Sequence, residues 1–238
     1  MKLSIPLYRL KRQAKVLARS EGIPHHQALD RIAKAQGFGK WSLLAKWERD
    51  RGPSQRLIDW LVPGDLLLLG GRPGQGKTLL SLEMIVEGVK RGKPGRFFTL
   101  DYNEEDVLEA FQSVAGQRTL QSSLYGFDNS DLIHSDYIAD KLVDARPGTI
   151  VVIDYLQILD QRRANPDLES QVRDLKVFAR ERGITMIFIS QIDRAFERTA
   201  KRCPTLEDVR LPNPLNLSYF NKACFVHDGL VQTEAVHT

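Results

Sequence analysis

The sequence predicts an α/β fold built on a mostly parallel sheet, preceded by a small all-helical module. Three observations lead there. From residue 57 onward, short apolar runs alternate with stretches of helical periodicity. A glycine-rich loop, Gly71-Arg72-Pro73-Gly74-Gln75-Gly76-Lys77-Thr78, stands between one such run and one such helix. Charge is segregated as well: residues 1–56 hold thirteen Lys and Arg against four Asp and Glu. The whole chain of 238 residues carries only +4, so its remainder is net acidic.

The basic N-terminal segment reads as three short helices. The first places Leu7, Leu10, Ala14 and Leu17 on one face and stops near Gly22. The second starts around Pro24, an acceptable first-turn residue, turns Ala28, Leu29, Ile32 and Ala33 inward, and ends at Gly37. Trp41, Leu44 and Trp47 line the third. Gly52 and Pro53 interrupt the helical pattern at Arg51-Gly52-Pro53-Ser54, which divides a module at 1–52 from a larger domain at 53–238. A basic helical module of this kind suits DNA or RNA, an acidic protein partner, or solubility alone; the charge pattern leaves all three open.

In the larger domain the expected strands are Leu66–Gly70, Arg96–Leu100, Thr149–Ile153, Met186–Ser190 and Ala223–Val226. Helical patterns occupy Thr78–Arg91, Glu104–Val114, Tyr137–Ala145 and Leu168–Arg182. No apolar run reaches the 18 or so residues that a membrane span needs. Met1–Val16 is basic and amphipathic like a targeting peptide, but it leads straight into further helical pattern and reads as a folded helix. Cys203 and Cys224 are too few and too far apart for a zinc motif or a disulfide framework, which fits a cytoplasmic protein. His25-His26 reads as a solvated pair.

The loop carries the chemistry. It fits G-x-x-x-x-G-K-[ST], in which backbone N–H groups and a helix N-terminus cradle a triphosphate. Gly71, Gly74 and Gly76 allow the bend, and the contacts run from Gly71 through Arg72, Pro73, Gly74, Gln75, Gly76, Lys77 and Thr78 to Leu79. Lys77 is placed to reach the β- and γ-phosphates of ATP, and the Thr78 hydroxyl to ligate Mg²⁺. Asp154 ends an apolar strand, where a carboxylate can hold Mg²⁺ through its water shell. Asp101 ends another, as a candidate for orienting the attacking water, although Glu104 and Glu105 after it also suit a helix start. Gln191 follows a third strand and is placed to sense the γ-phosphate. The loop beyond it carries Arg194, Arg198, Lys201 and Arg202, candidates for nucleic-acid phosphates or simply a solvated surface.

These strings together resemble the ATPase domain of DnaB-type hexameric replicative helicases, within the RecA-like group of P-loop NTPases. Pro63-Gly64-Asp65-Leu66 and Arg72-Pro73 with Gly76-Lys77-Thr78 carry the likeness into the loop. Ile153-Asp154-Tyr155-Leu156-Gln157 matches the family's second nucleotide motif, and Ile189-Ser190-Gln191-Ile192-Asp193-Arg194 its sensor segment. The likeness runs from about residue 57 to 228. It implies a RecA-like fold, ATP at Gly71 through Leu79, Mg²⁺ near Thr78 and Asp154, a sensor at Gln191, DNA as partner and assembly with further copies.

The sequence departs from that pattern in three places. Asp101 stands where the family places Glu, and setting a catalytic carboxylate back by a bond can cost on the order of 100-fold in rate. The basic module stands in place of the family's bulky N-terminal helical domain. Gly229–Thr238 contains no Lys or Arg, so no arginine finger is expected there, a loss worth about 10³–10⁵ in turnover. Three functions are therefore weighed. The first is a DNA-linked Mg²⁺-dependent ATPase, and the second an ATP-gated binding module for DNA or protein with little hydrolysis and no motor activity. The third, a small-molecule kinase, lacks a recognisable arginine-bearing lid.

Overall fold

The computed structural model describes residues 7–100, 104–115, 124–162, 165–211 and 213–236. The chain divides into two compact units, one through Asp59 and one from Trp60. The first contains α1 (Leu7–Glu21), α2 (His25–Ala35), α3 (Trp41–Asp50) and most of α4 (Pro53–Trp60). The Gly-Pro pair does end α3, but Pro53 then opens α4 instead of a linker. That is the position where its missing N–H and fixed φ are harmless.

The helical unit is small and held by few residues. Leu10, Ala33 and Leu44 form its centre, with Ile32, Phe38 and Trp41 packed on them. Gly22 and Gly37 take the left-handed conformation at the ends of α1 and α2. At the second end, the Phe38 N–H reaches back to the Ala33 carbonyl at 2.9 Å. Asp30 accepts from the Trp41 N–H at 2.8 Å and so orients the start of α3 from α2.

The second unit is a seven-stranded sheet in the order β3-β2-β4-β5-β1-β6-β7. Its strands are β1 (Leu66–Gly71), β2 (Gly95–Thr99), β3 (Tyr125–Asp128), β4 (Ile150–Asp154), β5 (Thr185–Gln191), β6 (Lys222–His227) and β7 (Leu230–Ala235). All pairings are parallel except β6 with β7. Its helices are α5 (Lys77–Lys90), α6 (Glu104–Ala115), α7 (Ser135–Lys141) and α8 (Leu168–Arg182). β1, β4 and β5 are near-continuously apolar because helices cover parallel strands on both faces; every residue of β1 is buried. On one face of the sheet the strands and α8 share a core, in which Leu66, Leu68, Ile153 and Phe188 meet Val172, Leu175 and Ala179 of α8.

The structure corrects the sequence reading at its edges. β3 was not expected: its four residues, Tyr-Gly-Phe-Asp, are half-buried and too short to show a period. β7 was not expected either, because a largely exposed edge strand of mixed polar residues has no apolar alternation. The helix expected at Tyr137–Ala145 starts earlier and ends at Lys141. No helix among the described residues is long and apolar enough to cross a membrane.

Candidate nucleotide site

In parallel sheets ligands gather outside the carboxyl ends of the strands. Here three of those ends meet. Gly71 of β1 stands in register with Gln191 of β5, and β4 lies on the other side of β5, ending at Asp154. The turn after β1 uses Gly74 and Gly76 at φ of 77° and 82°, a region that side chains resist, so the glycines are required by the backbone itself. Gly76 is the N-cap of α5, and the Leu80 N–H closes the first turn on its carbonyl at 2.9 Å. Buried Leu80, Met84, Ile85 and Val89 fix the helix against the sheet, so its N-terminus is aimed by the core.

The functional side chains follow from this frame. Lys77 folds back over the loop, and its ammonium donates to the Arg72 carbonyl at 3.0 Å. Burial lowers its pKa; Asp154 opposes that shift and Arg72 adds to it. The Thr78 hydroxyl donates to Asp154 Oδ2 at 2.8 Å across 76 residues of sequence. Asp154 is only 4% exposed. Two oxygens therefore touch beside the glycine-rich loop, and hard oxygens are the donors that Mg²⁺ accepts. Leu79 is 44% exposed, at the rim of a cavity of about 160 Å³ that it lines with Leu82, Phe97, Val107, Ala110 and Thr78.

Of the other expected residues, Gln191 lies at the end of β5, in register with Gly71. Its backbone carbonyl accepts from the Arg210 N–H at 2.8 Å, and the Arg210 guanidinium lies 3.5 Å from its side-chain oxygen. Arg194 and Arg198 are exposed on a single 3₁₀ turn, Arg194–Arg198, and Arg202 is exposed just beyond it. Lys201 differs: its ammonium is committed to Asp208 at 3.0 Å and Glu207 at 3.4 Å, which leaves it a structural tie within its own loop. Asp101 lies outside the described residues. No group of His, Cys, Asp and Glu able to hold a metal ion occurs among the described residues.

Three sets of contacts around the site were not legible in the sequence. Arg72 donates to Glu197 Oε1 at 2.7 Å and to the Ile192 carbonyl at 3.0 Å, tying the loop to the segment after Gln191. Gln75 accepts from the Asp228 N–H at 2.7 Å, so the β6–β7 turn braces the loop from its other side. Arg210 stands beside Gln191 only because Ile192 and Val209 form an isolated bridge. Each contact joins residues far apart in sequence, and no local pattern announces it.

Two family models match this chain. One, for the DnaB-like helicase C terminal domain, covers residues 137–213; the other, an ATPase model described as KaiC, covers residues 55–122. Replicative DNA helicase DnaB of Leifsonia xyli subsp. xyli is 26% identical over 185 residues, spanning 65% of this chain and 40% of the relative. DnaB of Helicobacter pylori J99 is 25% identical over 179 residues, spanning 62% and 37%. The chain thus spans about two-fifths of the length of these relatives.

Among solved structures, a DnaB-like replicative helicase solved for its interactions with primase gives a TM-score of 0.58 at 19% identity, covering 95% of this chain and 73% of that one. A separately solved ATPase domain superposes with a TM-score of 0.56 at 20% identity, covering 81% and 91%. These structures share the fold, and the two family models between them span the loop, Asp154 and Gln191. The chain carries a DnaB-like P-loop ATPase domain.

Proposed function

We propose that this protein binds Mg-ATP at Gly71–Leu79 and hydrolyses it in work on DNA, as an ATPase of the DnaB helicase-like class. The observation that carries the reading is the 2.8 Å contact between Thr78 and Asp154 beside the Lys77 ammonium. A hydroxyl, a buried carboxylate and a cation converge there on the open end of the sheet. When bound with ATP, Mg²⁺ would supply charge neutralisation of the phosphates.

The chain's own residues do the rest. Lys77 exchanges the Arg72 carbonyl for phosphate oxygens, whose negative charge opposes the downward shift that burial imposes on its pKa. Thr78 turns its lone pairs outward, with the Asp154 carboxylate behind it. The backbone N–H groups of the loop hold the β-phosphate, and Gln191 meets the γ-phosphate end. Arg194, Arg198 and Arg202 carry the charge that would meet DNA phosphates. The likeness to replicative helicases supports assembly with further copies and a cytoplasmic location.

A second reading is favoured by the Arg72–Glu197 tie. One loop residue bonds the segment that carries Arg194 and Arg198, so nucleotide can gate that segment with little turnover. ATP hydrolysis with and without single-stranded DNA, on wild type and Lys77→Ala, separates these. Stimulated turnover lost in the variant supports the ATPase, and tight ATP binding with negligible turnover supports the gate. Substantial turnover that is equal in the two proteins contradicts both.

A further inference from the structure

We propose that the N-terminal helical unit holds its own binding site for the phosphodiester backbone of nucleic acid, in the cleft between α1 and α2. Lys11, Arg12, Lys15 and His25 line that cleft over an aliphatic floor made by Leu29, around a volume of about 410 Å³. The three cations come from one turn of α1, at positions i, i+1 and i+4, and all are exposed. None has an ion-pair partner among the described residues.

Three acids of the unit are engaged elsewhere. Glu21 pairs with Arg31, Asp30 caps the Trp41 N–H, and Asp59 pairs with Arg51. Arg31 and Arg51 are thus neutralised away from the cleft, while the three cations that line it are gathered on one turn of α1. Like charges gathered on one helical turn destabilise it, and an anion relieves that repulsion. A single carboxylate would not occupy three cations and an imidazole. A polyanion of regularly spaced phosphates does, and the exposed His25 ring and Leu29 offer faces to a sugar or a base. This site is separate from the P-loop and does not depend on ATP turnover.

The test is fluorescence anisotropy of labelled single-stranded and duplex DNA with the full chain, without nucleotide, across a salt series. Lys11→Gln/Arg12→Gln/Lys15→Gln is compared with Lys34→Gln/Lys40→Gln/Lys46→Gln, which removes the same charge from the same unit outside the cleft. The cleft variant is expected to lose roughly tenfold or more in affinity. Its salt slope on single strands should fall by about 2, at roughly 0.7 per phosphate contact. The control variant should change far less, Lys11→Arg/Lys15→Arg should bind as wild type, and ATP turnover without DNA should be unchanged in all. Equal losses in the two triple variants, or none in either, overturn the site. So does displacement of the DNA by polyglutamate of equal charge, which would make the partner an acidic protein. Because Lys77→Ala is expected to bind DNA through this cleft as wild type does, failure of the ATPase reading and failure of this one are told apart.

Discussion

Thr78 and Asp154 are joined by a 2.8 Å hydrogen bond from hydroxyl to carboxylate, and that bond links the start of α5 to the end of β4 across the intervening β5. It holds together in advance the two oxygens proposed to meet Mg-ATP. Thr78→Val keeps the side chain's size and removes the hydroxyl, leaving Asp154 short of one donor. Loss of a hydrogen bond to a buried charged group costs about 1.5–3 kcal/mol. The expected outcome is a loss of Mg-dependent ATP affinity of roughly 10- to 100-fold, with Thr78→Ser close to wild type. Titration calorimetry at several Mg²⁺ concentrations checks both.

Gly71 is required for space rather than for backbone angle. A Cβ there would sit 2.9 Å from the Val226 carbonyl oxygen and 3.1 Å from Lys77 Cγ. The carbonyl belongs to the neighbouring strand and cannot step aside, while Lys77 is the residue proposed to meet the phosphates. Gly71→Ala is therefore expected to destabilise the domain by about 1–3 kcal/mol and to weaken ATP binding. Gly74→Ala would meet no atom within 4 Å but is strained at its φ of 77°. Thermal melts with and without Mg-ATP separate the two: the ATP-induced shift should shrink more for Gly71→Ala at equal loss of apo stability.

Lys222 and Asp65 form a buried ion pair at the start of β6 and β1, with side chains 13% and 9% exposed. The Lys222 ammonium also donates to the Trp60 carbonyl at 2.7 Å and lies 4.9 Å from the Trp60 ring centre. Asp65 in turn accepts from the Val62 N–H at 2.9 Å. Removing one partner strands a buried charge, so Lys222→Ala is expected to cost about 3–5 kcal/mol. Denaturant unfolding of the single variants and of Lys222→Met/Asp65→Leu checks it. The double variant should recover much of the loss.

Cys203 and Cys224 are both free and buried, and burial pushes the Cys224 thiol up to about 12 from an ordinary 9.0. The folded state thus favours the neutral thiol. Its contribution to stability is complete below about pH 9 and drains away as pH rises from 9 toward 12. The slope reaches about 1.4 kcal/mol per pH unit for one group. Wild type should lose stability faster than Cys224→Ala across that interval in parallel denaturant titrations. At pH 8, iodoacetamide should leave Cys224 unmodified until the protein is unfolded.

The centre of this fold was legible because buried parallel strands and the loop write themselves in local patterns. Leu66–Leu69, the glycines and the strand ending at Asp154 each need only their own neighbours to be recognised. The rim was not. β7 is an exposed edge strand, so water and not a core chose its residues, and no period survives. Glu197, Arg210 and Asp228 reach the site through contacts spanning 125, 19 and 153 residues. Lys201 has the sequence pattern of a free cation, but Asp208, held by the Thr205 N–H at 2.9 Å, stands beside it. Charge patterns name candidates, and only the folded neighbours decide which cations are already spent.

The most direct test of the central claim is Mg-ATP binding by calorimetry to wild type and to Lys77→Ala. The Lys77 ammonium already rests 3.0 Å from the Arg72 carbonyl, inside the loop that would close on phosphate. Saturable binding that requires Mg²⁺ in wild type and is lost in Lys77→Ala is the predicted result. Equal binding in the two proteins, or no binding in wild type, would contradict the account.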